Sequence, residues 1–257
     1  ALPISGAGAG AAARPGRCPA GGQCVKLGIV GGSGLYAMPG IEGAWRAVDT
    51  PWGPPSDAIL DGRLEGLEIA FVPRHGRGHR LAPSEIPARA NIAALKALGC
   101  TAVLAVGAVG SFRERLPPGH FVLPDQIVDA TWGRPASFFG DGIVAHVSSA
   151  EPVAHDLFAR VEAAARAAGV PVTRGGTYGC IEGPRFATRA ESLARRAAGW
   201  DVVGMTAMPE AHLAREAELA YALVAMVTDF DAWADAHVTT AAVLEVMAAN
   251  RARAHAL

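Results

Sequence analysis

The sequence predicts an α/β fold. Short runs rich in Val, Ile and Leu alternate along the chain with longer, Ala-rich amphipathic segments, which is the pattern of strands covered by helices. Several of these runs are continuously apolar, as expected of strands buried on both faces of a sheet. With 257 residues, of which 51% are hydrophobic and 18% charged, the chain is long enough to bury one sizeable core. We therefore expect a single α/β domain.

The N-terminal segment, residues 1–25, is mostly Ala, Gly, Pro and Arg. It offers too little apolar surface to offset the entropy lost on ordering, so we predict a disordered extension over residues 1–25 and a folded domain over residues 26–257. The extension lacks the charged start and continuous apolar centre of a secretory signal. The four cysteines include no C-x-x-C pair. These features favour a reduced, cytoplasmic protein.

Seven short segments are predicted to form the strands of the sheet. They are Lys26–Val30, Glu68–Val72, Ala102–Val106, Phe121–Leu123, Val172–Tyr178, Val202–Met205 and Tyr221–Thr228. Between the fourth and fifth segments, Val128–Pro152 shows no periodicity. A stretch of this length without periodicity predicts a long functional loop.

Five amphipathic segments are predicted to form helices. They are Ile86–Leu98, Asp156–Ala168, Arg189–Ala198, Pro209–Glu218 and Ala241–Ala256. The first three are followed by Gly99, Gly169 and Gly199, which suits the left-handed residue that commonly ends a helix. The fourth opens with Pro209, a residue that is well placed in a first turn.

The charge balance argues against a polymeric ligand. Lys and Arg total 23 and Asp and Glu total 24, for a net charge of −1, and no basic run is dense enough to follow a nucleic-acid backbone. The longest apolar stretches, such as Thr101–Val109 and Leu219–Val227, are far shorter than the ~18 residues that indicate a membrane span. We therefore expect a small-molecule ligand, with no nucleic acid and no membrane as partner.

The first predicted strand is followed by Gly31-Gly32-Ser33-Gly34-Leu35. Backbone N–H groups in such a turn can approach an anion closely, and Ser33 adds a hydroxyl donor. The segment is neither G-x-G-x-x-G nor a P-loop. An ordinary tight turn explains it equally well.

The second predicted strand is followed by a run of basic side chains that begins with Arg74 and His75. A guanidinium can grip phosphate through two parallel N–H donors, and an adjacent imidazole can add a third. We assign Arg74 and His75 to phosphate. For Arg77, His79 and Arg80 a solvated surface is the simpler interpretation.

The third predicted strand ends in small residues, Ala105-Val106-Gly107-Ala108-Val109-Gly110-Ser111. Small residues leave backbone donors close to a ligand. Because ligands of open α/β sheets gather outside the carboxyl ends of strands, three such strand ends in succession indicate one shared site.

Several motifs extend this pattern through the rest of the chain. In order they are Gly28-Ile29-Val30-Gly31-Gly32-Ser33-Gly34-Leu35, Arg74-His75-Gly76, Ala108-Val109-Gly110-Ser111, Ile181-Glu182-Gly183-Pro184-Arg185-Phe186, Gly204-Met205-Thr206-Ala207-Met208-Pro209-Glu210 and Thr228-Asp229-Phe230-Asp231. Together they resemble the trimeric purine nucleoside phosphorylase family, and most closely its 5′-methylthioadenosine phosphorylase branch. The resemblance spans about residues 26 to 255. It implies a single three-layer α/β/α domain with a central mixed sheet.

The resemblance also implies a role for each matching residue. Phosphate, a co-substrate, would be bound by Ser33, Arg74, His75, Gly107, Ala108 and Thr206. Gly107 stands where the family often has Thr, which removes one hydroxyl donor. Nucleoside would contact Phe186, Ala187, Met205, Asp229 and Asp231, and catalytic roles would fall to Asp229, Asp231 and His75. No further cofactor and no metal is implied.

The purine is predicted from two of these positions. Related 6-oxopurine enzymes use Asn and Glu where this chain has Asp229 and Ala187. A carboxylate accepts from the amino group of adenine but not from the carbonyl of hypoxanthine, so adenine is favoured. Asp229 could protonate the departing base if burial and Asp231 raise its pKa. An Asp pair without a third ligand is weak evidence for a metal.

The pocket for the 5′ group is the least defined. The resemblance places His146, Thr240 and Val243 there, with His146 supplied by a neighbouring subunit of a homotrimer or of a dimer of trimers. Thr240 departs from the apolar residue that accompanies a methylthio group, so a 5′-hydroxyl is a second interpretation. Two alternatives to an adenine-nucleoside phosphorylase stay open, a 6-oxopurine phosphorylase and an inactive or hydrolytic relative. Asp229 and Ala187 argue against the first of these, and the intact phosphate residues argue against the second.

Overall fold

The computed structural model describes residues 25–33, 35, 38–234 and 240–256, the first five residues of the last range by their backbone alone. The described strands are β1 Leu27–Gly31, β2 Glu42–Arg46, β3 Ile59–Leu64, β4 Leu67–Pro73, β5 Ala102–Ser111, β6 Phe121–Leu123, β7 Gln126–Ala130, β8 Val172–Arg174, β9 Thr177–Ile181, β10 Val202–Gly204 and β11 Ala220–Phe230. The described helices are α1 Ala88–Ala97, α2 His155–Ala167, α3 Arg189–Ala197, α4 Ala207–Glu216 and α5 Thr240–Ala256.

The described strands form one mixed sheet. Its main path runs β2-β3-β4-β1-β5-β10-β9-β7, and β11 pairs with both β5 and β6. Strands β4, β1, β5 and β11 are parallel neighbours, so their carboxyl ends meet at one edge of the sheet. Strand β10 runs antiparallel to the last residues of β5. The predicted α/β class with a central mixed sheet is confirmed.

One predicted strand proved to be two. Val172–Tyr178 divides into β8 and β9 because Gly175 and Gly176 adopt φ of +90° and +111°, a region of backbone conformation that only glycine enters freely. The two strands then pair with different neighbours, β8 with β6 and β9 with β7 and β10. The Gly175-Gly176 pair within the predicted strand is the sequence signal of this break.

Three strands escaped prediction, namely β2, β3 and β7. Every residue of β2 is exposed and β7 is largely exposed, so neither has the apolar run of a strand buried on both faces. The predicted loop is correspondingly wrong over Val128–Ala130, which belong to β7. The remainder of the predicted loop, residues 131–152, contains neither helix nor strand, as predicted.

The predicted helices are present, with ends shifted by at most two residues. Helix α1 starts later than expected, at Ala88, because a separate 3₁₀ turn and Pro87 precede it. Gly99, Gly169 and Gly199 all have positive φ, which confirms them as helix ends. In α4, Met208 has a non-helical conformation, so regular helix begins at Pro209 as predicted.

The main core lies around β5 and β11. Both strands are buried along most of their length, and Ile92 and Leu95 of helix α1 belong to the same core cluster. Gly28 lets this helix come close to β1, since a Cβ at residue 28 would lie 2.9 Å from Cδ1 of Leu95. The result is a rigid strand framework whose ends carry the candidate site.

Candidate active site

A cavity of about 510 Å³ opens where strands β1, β4, β5, β10 and β11 end. Most of the residues predicted from the sequence line it. They are Ser33, Arg74, His75, Gly107, Ala108, Phe186, Ala187, Met205, Thr206, Asp229 and Asp231. The topology thus gathers around one space residues that lie far apart in the chain.

Arg74 lies at the back of this cavity and is only 1% exposed. Its Nε and Nη2 donate to the two carboxylate oxygens of Glu210, at 2.8 and 3.0 Å, and its Nη1 donates to the Val106 carbonyl at 2.9 Å. Tyr221 donates its hydroxyl to the same carboxylate at 3.0 Å. Burial opposes the charge of Arg74, but Glu210 outweighs it and the pKa of Arg74 is raised. The anion required by a buried cation is therefore Glu210, a residue to which the sequence assigned no role.

The bonds to Glu210 and to the carbonyls of Val106 and Val30 leave Arg74 one N–H, on Nη1, with which to meet a ligand. This N–H and the Thr206 hydroxyl both lie beside Gly107. A Cβ on Gly107 would be 3.7 Å from Nη1 of Arg74 and 3.8 Å from Oγ1 of Thr206. On the opposite side, a Cβ on Gly32 would lie 2.7 Å from Nη1, inside contact distance. Two donors therefore face an open space floored by glycine backbone, which suits a compact anion.

His75 is buried beside Arg74, and its Nδ1 lies 2.9 Å from the Leu81 carbonyl. A carbonyl can only accept, so Nδ1 carries the hydrogen and Nε2 is the nitrogen left for a ligand. Burial, with the nearby charges of Arg74 and His79, lowers the pKa of His75 to about 4 although the Leu81 carbonyl opposes the shift. The sequence predicts His75 as a hydrogen-bond donor to phosphate. At neutral pH the imidazole is instead uncharged, and Nε2 is an acceptor until a proton reaches it.

The other basic residues of this segment separate into two groups. Arg77 is exposed and pairs with Asp57 at 2.8 Å, and Arg80 donates to the Ser56 carbonyl. His79 is exposed, as the sequence predicts, but its ring also stacks on His75 with centroids 4.3 Å apart and lines the cavity. His79 therefore contributes to the wall of the site.

The two carboxylates of the site depend on a β-bulge. Strand β11 shifts register against β5 between Val227 and Asp229, which sets Asp229 opposite Gly110. Such a bulge re-aims the side chains that follow it. A Cβ on Gly110 would lie 3.4 Å from Oδ2 of Asp229 and from Cβ of Asp231, so this glycine makes room for both side chains.

Asp229 and Asp231 differ in the surroundings of their carboxyl groups. Burial, and to a smaller extent the charge of Asp231, raises the pKa of Asp229 although Thr228 donates to its Oδ1 at 2.7 Å. This is the shift expected for a group that gives up a proton. Asp231 is 7% exposed, and its buried Oδ2 has no hydrogen-bond partner among the residues that the structure describes. That oxygen can accept from an N–H of a ligand.

The remaining wall is apolar. Met205 packs against a cluster of buried residues and lies so close to Gly183 that a Cβ there would be 2.4 Å from its Sδ. Gly183 has φ of +66°. Phe186 lines the cavity but is 77% exposed, so its ring stands at the rim and is not part of the core. A flat apolar ligand can pack between these side chains.

The residues predicted for the 5′ group are the ones that this cavity does not assemble. His146 lies in the loop of residues 131–153, is exposed and does not line the cavity, so its assignment to a neighbouring subunit stays a prediction. The backbone at Thr240 and Val243 belongs to α5, and their side chains lie outside the described residues. Met247 of the same helix lines the cavity. Its spacing of four residues from Val243 puts it on the same helix face, a signal that could have found it.

Two kinds of feature are absent from the described part of the chain. No helix there is both long and apolar enough to cross a lipid bilayer. No group of three or more His, Cys, Asp or Glu side chains in that part is arranged to hold a metal ion. The buried polar groups of the cavity instead suit a small organic ligand and an anion.

The fold and this site define a known class of protein. The sequence model of the phosphorylase superfamily matches residues 26–257, and the chain belongs to that superfamily. Within it, the chain belongs to the S-methyl-5′-thioadenosine phosphorylase family. The enzyme of that name from Rhodospirillum rubrum is 56% identical over 234 residues, covering 90% of this chain and 80% of the relative.

Solved structures agree with the sequence comparison. A methylthioadenosine phosphorylase sourced from an antarctic soil metagenomic library is 46% identical and superposes with a TM-score of 0.87, covering 91% of this chain and 83% of its own. A mutant of the adenosine/methylthioadenosine phosphorylase of Schistosoma mansoni, in complex with methylthioadenosine, is 40% identical. Its TM-score is 0.86, with 90% of this chain and 88% of its own covered.

Proposed function

We propose that the protein catalyses the phosphorolysis of S-methyl-5′-thioadenosine, which yields adenine and 5-methylthioribose 1-phosphate. The observation that carries this proposal is one cavity that joins an anion cradle to a pair of buried carboxylates. The cradle is formed by Arg74, Thr206 and the backbone at Gly107. The S-methyl-5′-thioadenosine phosphorylase family supplies the substrate class. The protein is thus a pentosyltransferase of purine and methionine salvage that uses phosphate as co-substrate.

The phosphate end of the cavity supplies the nucleophile. A phosphate between Nη1 of Arg74 and the Thr206 hydroxyl accepts from both groups, and Ser33 adds a third donor from the first glycine-rich turn. An HPO₄²⁻ ion can give its O–H to Nε2 of His75, which is neutral and already fixed through Nδ1. Held in this way, a phosphate oxygen can attack the anomeric carbon and stabilise the positive charge that develops on the sugar.

The base end of the cavity supports departure of the purine. Adenine presents an exocyclic amino donor and an N7 acceptor, and carboxylates in two protonation states complement that pair. Asp229, whose pKa is raised, gives its proton to N7 as the glycosidic bond lengthens. Asp231 accepts from the amino group through its unpaired oxygen. This division of roles selects adenine over 6-oxopurines.

The proposal is tested by the release of adenine from S-methyl-5′-thioadenosine with and without phosphate. We expect release only when phosphate is present, with a sugar 1-phosphate as the second product. Equal rates in phosphate-free buffer would show a hydrolase and would remove the assignment.

A broader specificity for the 5′ group is the second candidate. Thr240 is polar where an apolar residue accompanies a methylthio group, and the Schistosoma mansoni neighbour is named after both adenosine and methylthioadenosine. A panel of methylthioadenosine, adenosine, methylthioinosine and inosine, each with saturating phosphate, separates the candidates. A preference for either inosine-type substrate over its adenine counterpart would mean that the carboxylates do not read the base.

The assembly and location follow from the same proposal. We expect a cytoplasmic homotrimer in which His146 reaches the site of the next subunit. Apolar side chains of the loop that carries His146, those of Trp132, Ile143 and Val144, are exposed and support self-association. The free thiols of Cys100 and Cys180 are consistent with a reducing compartment. A solution mass of one chain for fully active protein would contradict the trimer.

A further inference from the structure

Arg134 lies in the long loop after β7, yet its side chain is only 6% exposed. It reaches inward to the place where β9 and β10 end, behind the wall of the cavity that carries Met205 and Thr206. A buried arginine needs acceptors for all its N–H groups as well as a counter-charge. Its partners therefore indicate what holds it in this position.

Each of the five N–H donors of Arg134 has an acceptor. Nη1 donates to the carbonyls of Met205 and Met208, at 2.8 and 2.9 Å. Nη2 donates to the carbonyl of Glu182 at 2.6 Å and makes a longer bond of 3.5 Å to that of Ile181. Nε donates to the Glu182 carboxylate at 3.2 Å. One guanidinium thus joins two chain segments, those that follow β9 and β10.

The need for this link comes from the sheet. The parallel pairing of β9 with β10 ends at Cys180 and Gly204. Beyond these residues the two segments share no ladder hydrogen bond. A bond from the Met208 N–H to Sγ of Cys180, at 3.3 Å, still connects them, and residues of both segments line the cavity. Buried carbonyls left without a ladder partner must find another donor. Arg134 supplies it to both segments.

The bridged segments lead directly to groups of the site. Met205 precedes Thr206, whose hydroxyl faces the anion cradle, and Glu182 precedes the turn that carries Phe186 and Ala187. We propose that Arg134 is a positioning residue. It fixes the Thr206 hydroxyl, which binds phosphate, relative to the turn with Phe186 and Ala187, which contacts the nucleoside. This inference rests on the proposed function, because that function assigns phosphate to one of the bridged segments and the nucleoside to the other.

Hydrogen bonds hold the loop in place both before and after Arg134 in the chain. The Glu182 carboxylate that pairs with Arg134 also accepts from the backbone N–H of Trp132 at 2.8 Å. Glu216 of α4 accepts from the Phe138 N–H at 2.7 Å and from the Ser137 hydroxyl at 2.8 Å. Arg134 is therefore held from the loop side and does not depend on the ligand for its place.

The test compares Arg134→Met with the matched control Lys26→Met. Lys26 also forms a largely buried ion pair, with Asp61, but at the start of β1 and away from the cavity. Methionine keeps the unbranched apolar part of either side chain and removes its charge and its donors. Steady-state kinetics would be measured for S-methyl-5′-thioadenosine and for phosphate, together with the melting temperature of each variant.

We expect Arg134→Met to raise the KM for both substrates and to lower kcat/KM by roughly ten- to a hundredfold, as misplacement by about 1 Å would. Lys26→Met should lower the melting temperature with both KM values unchanged, since KM reports only on the folded fraction. Unchanged KM values in Arg134→Met, with a lower melting temperature, would reduce Arg134 to a structural role and overturn the proposal.

A second variant keeps the test decisive if Arg134→Met does not fold. Arg134→Lys retains the charge near Glu182 but cannot reach all the carbonyls at once. We expect KM for both substrates to rise by a smaller factor in this variant, and native KM values there would equally overturn the proposal. Absence of phosphate-dependent activity in the native protein would instead defeat the proposed function.

Discussion

At the scale of single residues, the site is shaped by charges that neutralise each other away from water. Arg74 reaches the anion cradle only because Glu210 compensates it from behind. The two residues are 136 positions apart in the chain. Removing one member of a buried ion pair leaves the other uncompensated, which costs more than the pair itself contributes.

Glu210→Gln tests this compensation. We expect a loss of about 3–5 kcal/mol in the free energy of unfolding, because the charge of Arg74 would be buried alone. Phosphate should then raise the melting temperature of the variant more than that of the native protein, since the anion replaces the missing charge. The measurement is urea unfolding with thermal melts at several phosphate concentrations.

Glu216→Gln is the matched control for that experiment. Glu216 is buried on the same helix but accepts from Ser137 and Phe138 and does not contact Arg74. The melting temperature of Glu216→Gln should respond to phosphate as that of the native protein does. An equal phosphate response in both variants would show that Glu210 does not compensate the cradle.

Gly107 offers a gain-of-function test at the same scale. A Cβ there meets nothing closer than 3.7 Å, so Gly107→Thr fits the strand and adds a hydroxyl beside Arg74 and Thr206. One added hydrogen bond is worth about 0.5–1.5 kcal/mol, which corresponds to a fall in the KM for phosphate of roughly two- to tenfold.

The control for Gly107→Thr is Gly107→Val, which has the same shape without the hydroxyl. The valine variant should not lower the KM for phosphate. If both variants behave alike, the space above Gly107 does not receive the anion.

At the scale of elements, glycine governs how closely the strands and their neighbours pack. A Cβ on Gly179 of β9 would lie 1.9 Å from the Trp200 ring, which packs with Phe112, Ile181 and Val203 beneath Met205. Gly179→Ala should therefore destabilise the protein by about 1–3 kcal/mol through overpacking. Chemical denaturation measures the change.

A double-mutant cycle with Trp200→Leu checks the cause of that loss. When the ring is absent, Gly179→Ala should add little further destabilisation, so the two changes should be strongly non-additive. Additive losses would place the strain somewhere other than the contact between Gly179 and Trp200.

At the scale of the whole molecule, stability is coupled to pH through a histidine that is buried and neutral. The pKa of His75 is lowered to about 4, whereas an unfolded histidine titrates near 6.5. The contribution of His75 to the free energy of unfolding is fully present above the pKa of the unfolded chain. It is lost as pH falls from about 6.5 to 4, because over this range only the unfolded chain takes up the proton. The loss over that range is on the order of 3 kcal/mol.

Urea unfolding at pH 7.5 and pH 5 measures this coupling. His75→Asn should have a shallower dependence on pH than the native protein. Some dependence will persist, since burial also lowers the pKa of His120 and His255. An identical slope in the variant would show that His75 does not carry the coupling.

Much of the molecule was predictable from the sequence because its signals are local. Apolar runs marked the central strands, and Gly99, Gly169 and Gly199 marked the ends of three helices. The edge strands were missed because their residues are exposed and lack an apolar run. The order of the motifs indicated the family and a phosphate-dependent attack on an adenine nucleoside, with Asp229 at the base.

Only the tertiary structure decided how those residues are held. Glu210 as the counter-charge of Arg74, the neutral state of His75, and Arg134 as the bridge between β9 and β10 all depend on partners distant in the chain. Hydrogen bonds between such distant groups leave no periodic trace in a sequence, and burial, which sets their charge states, exists only once the chain has folded.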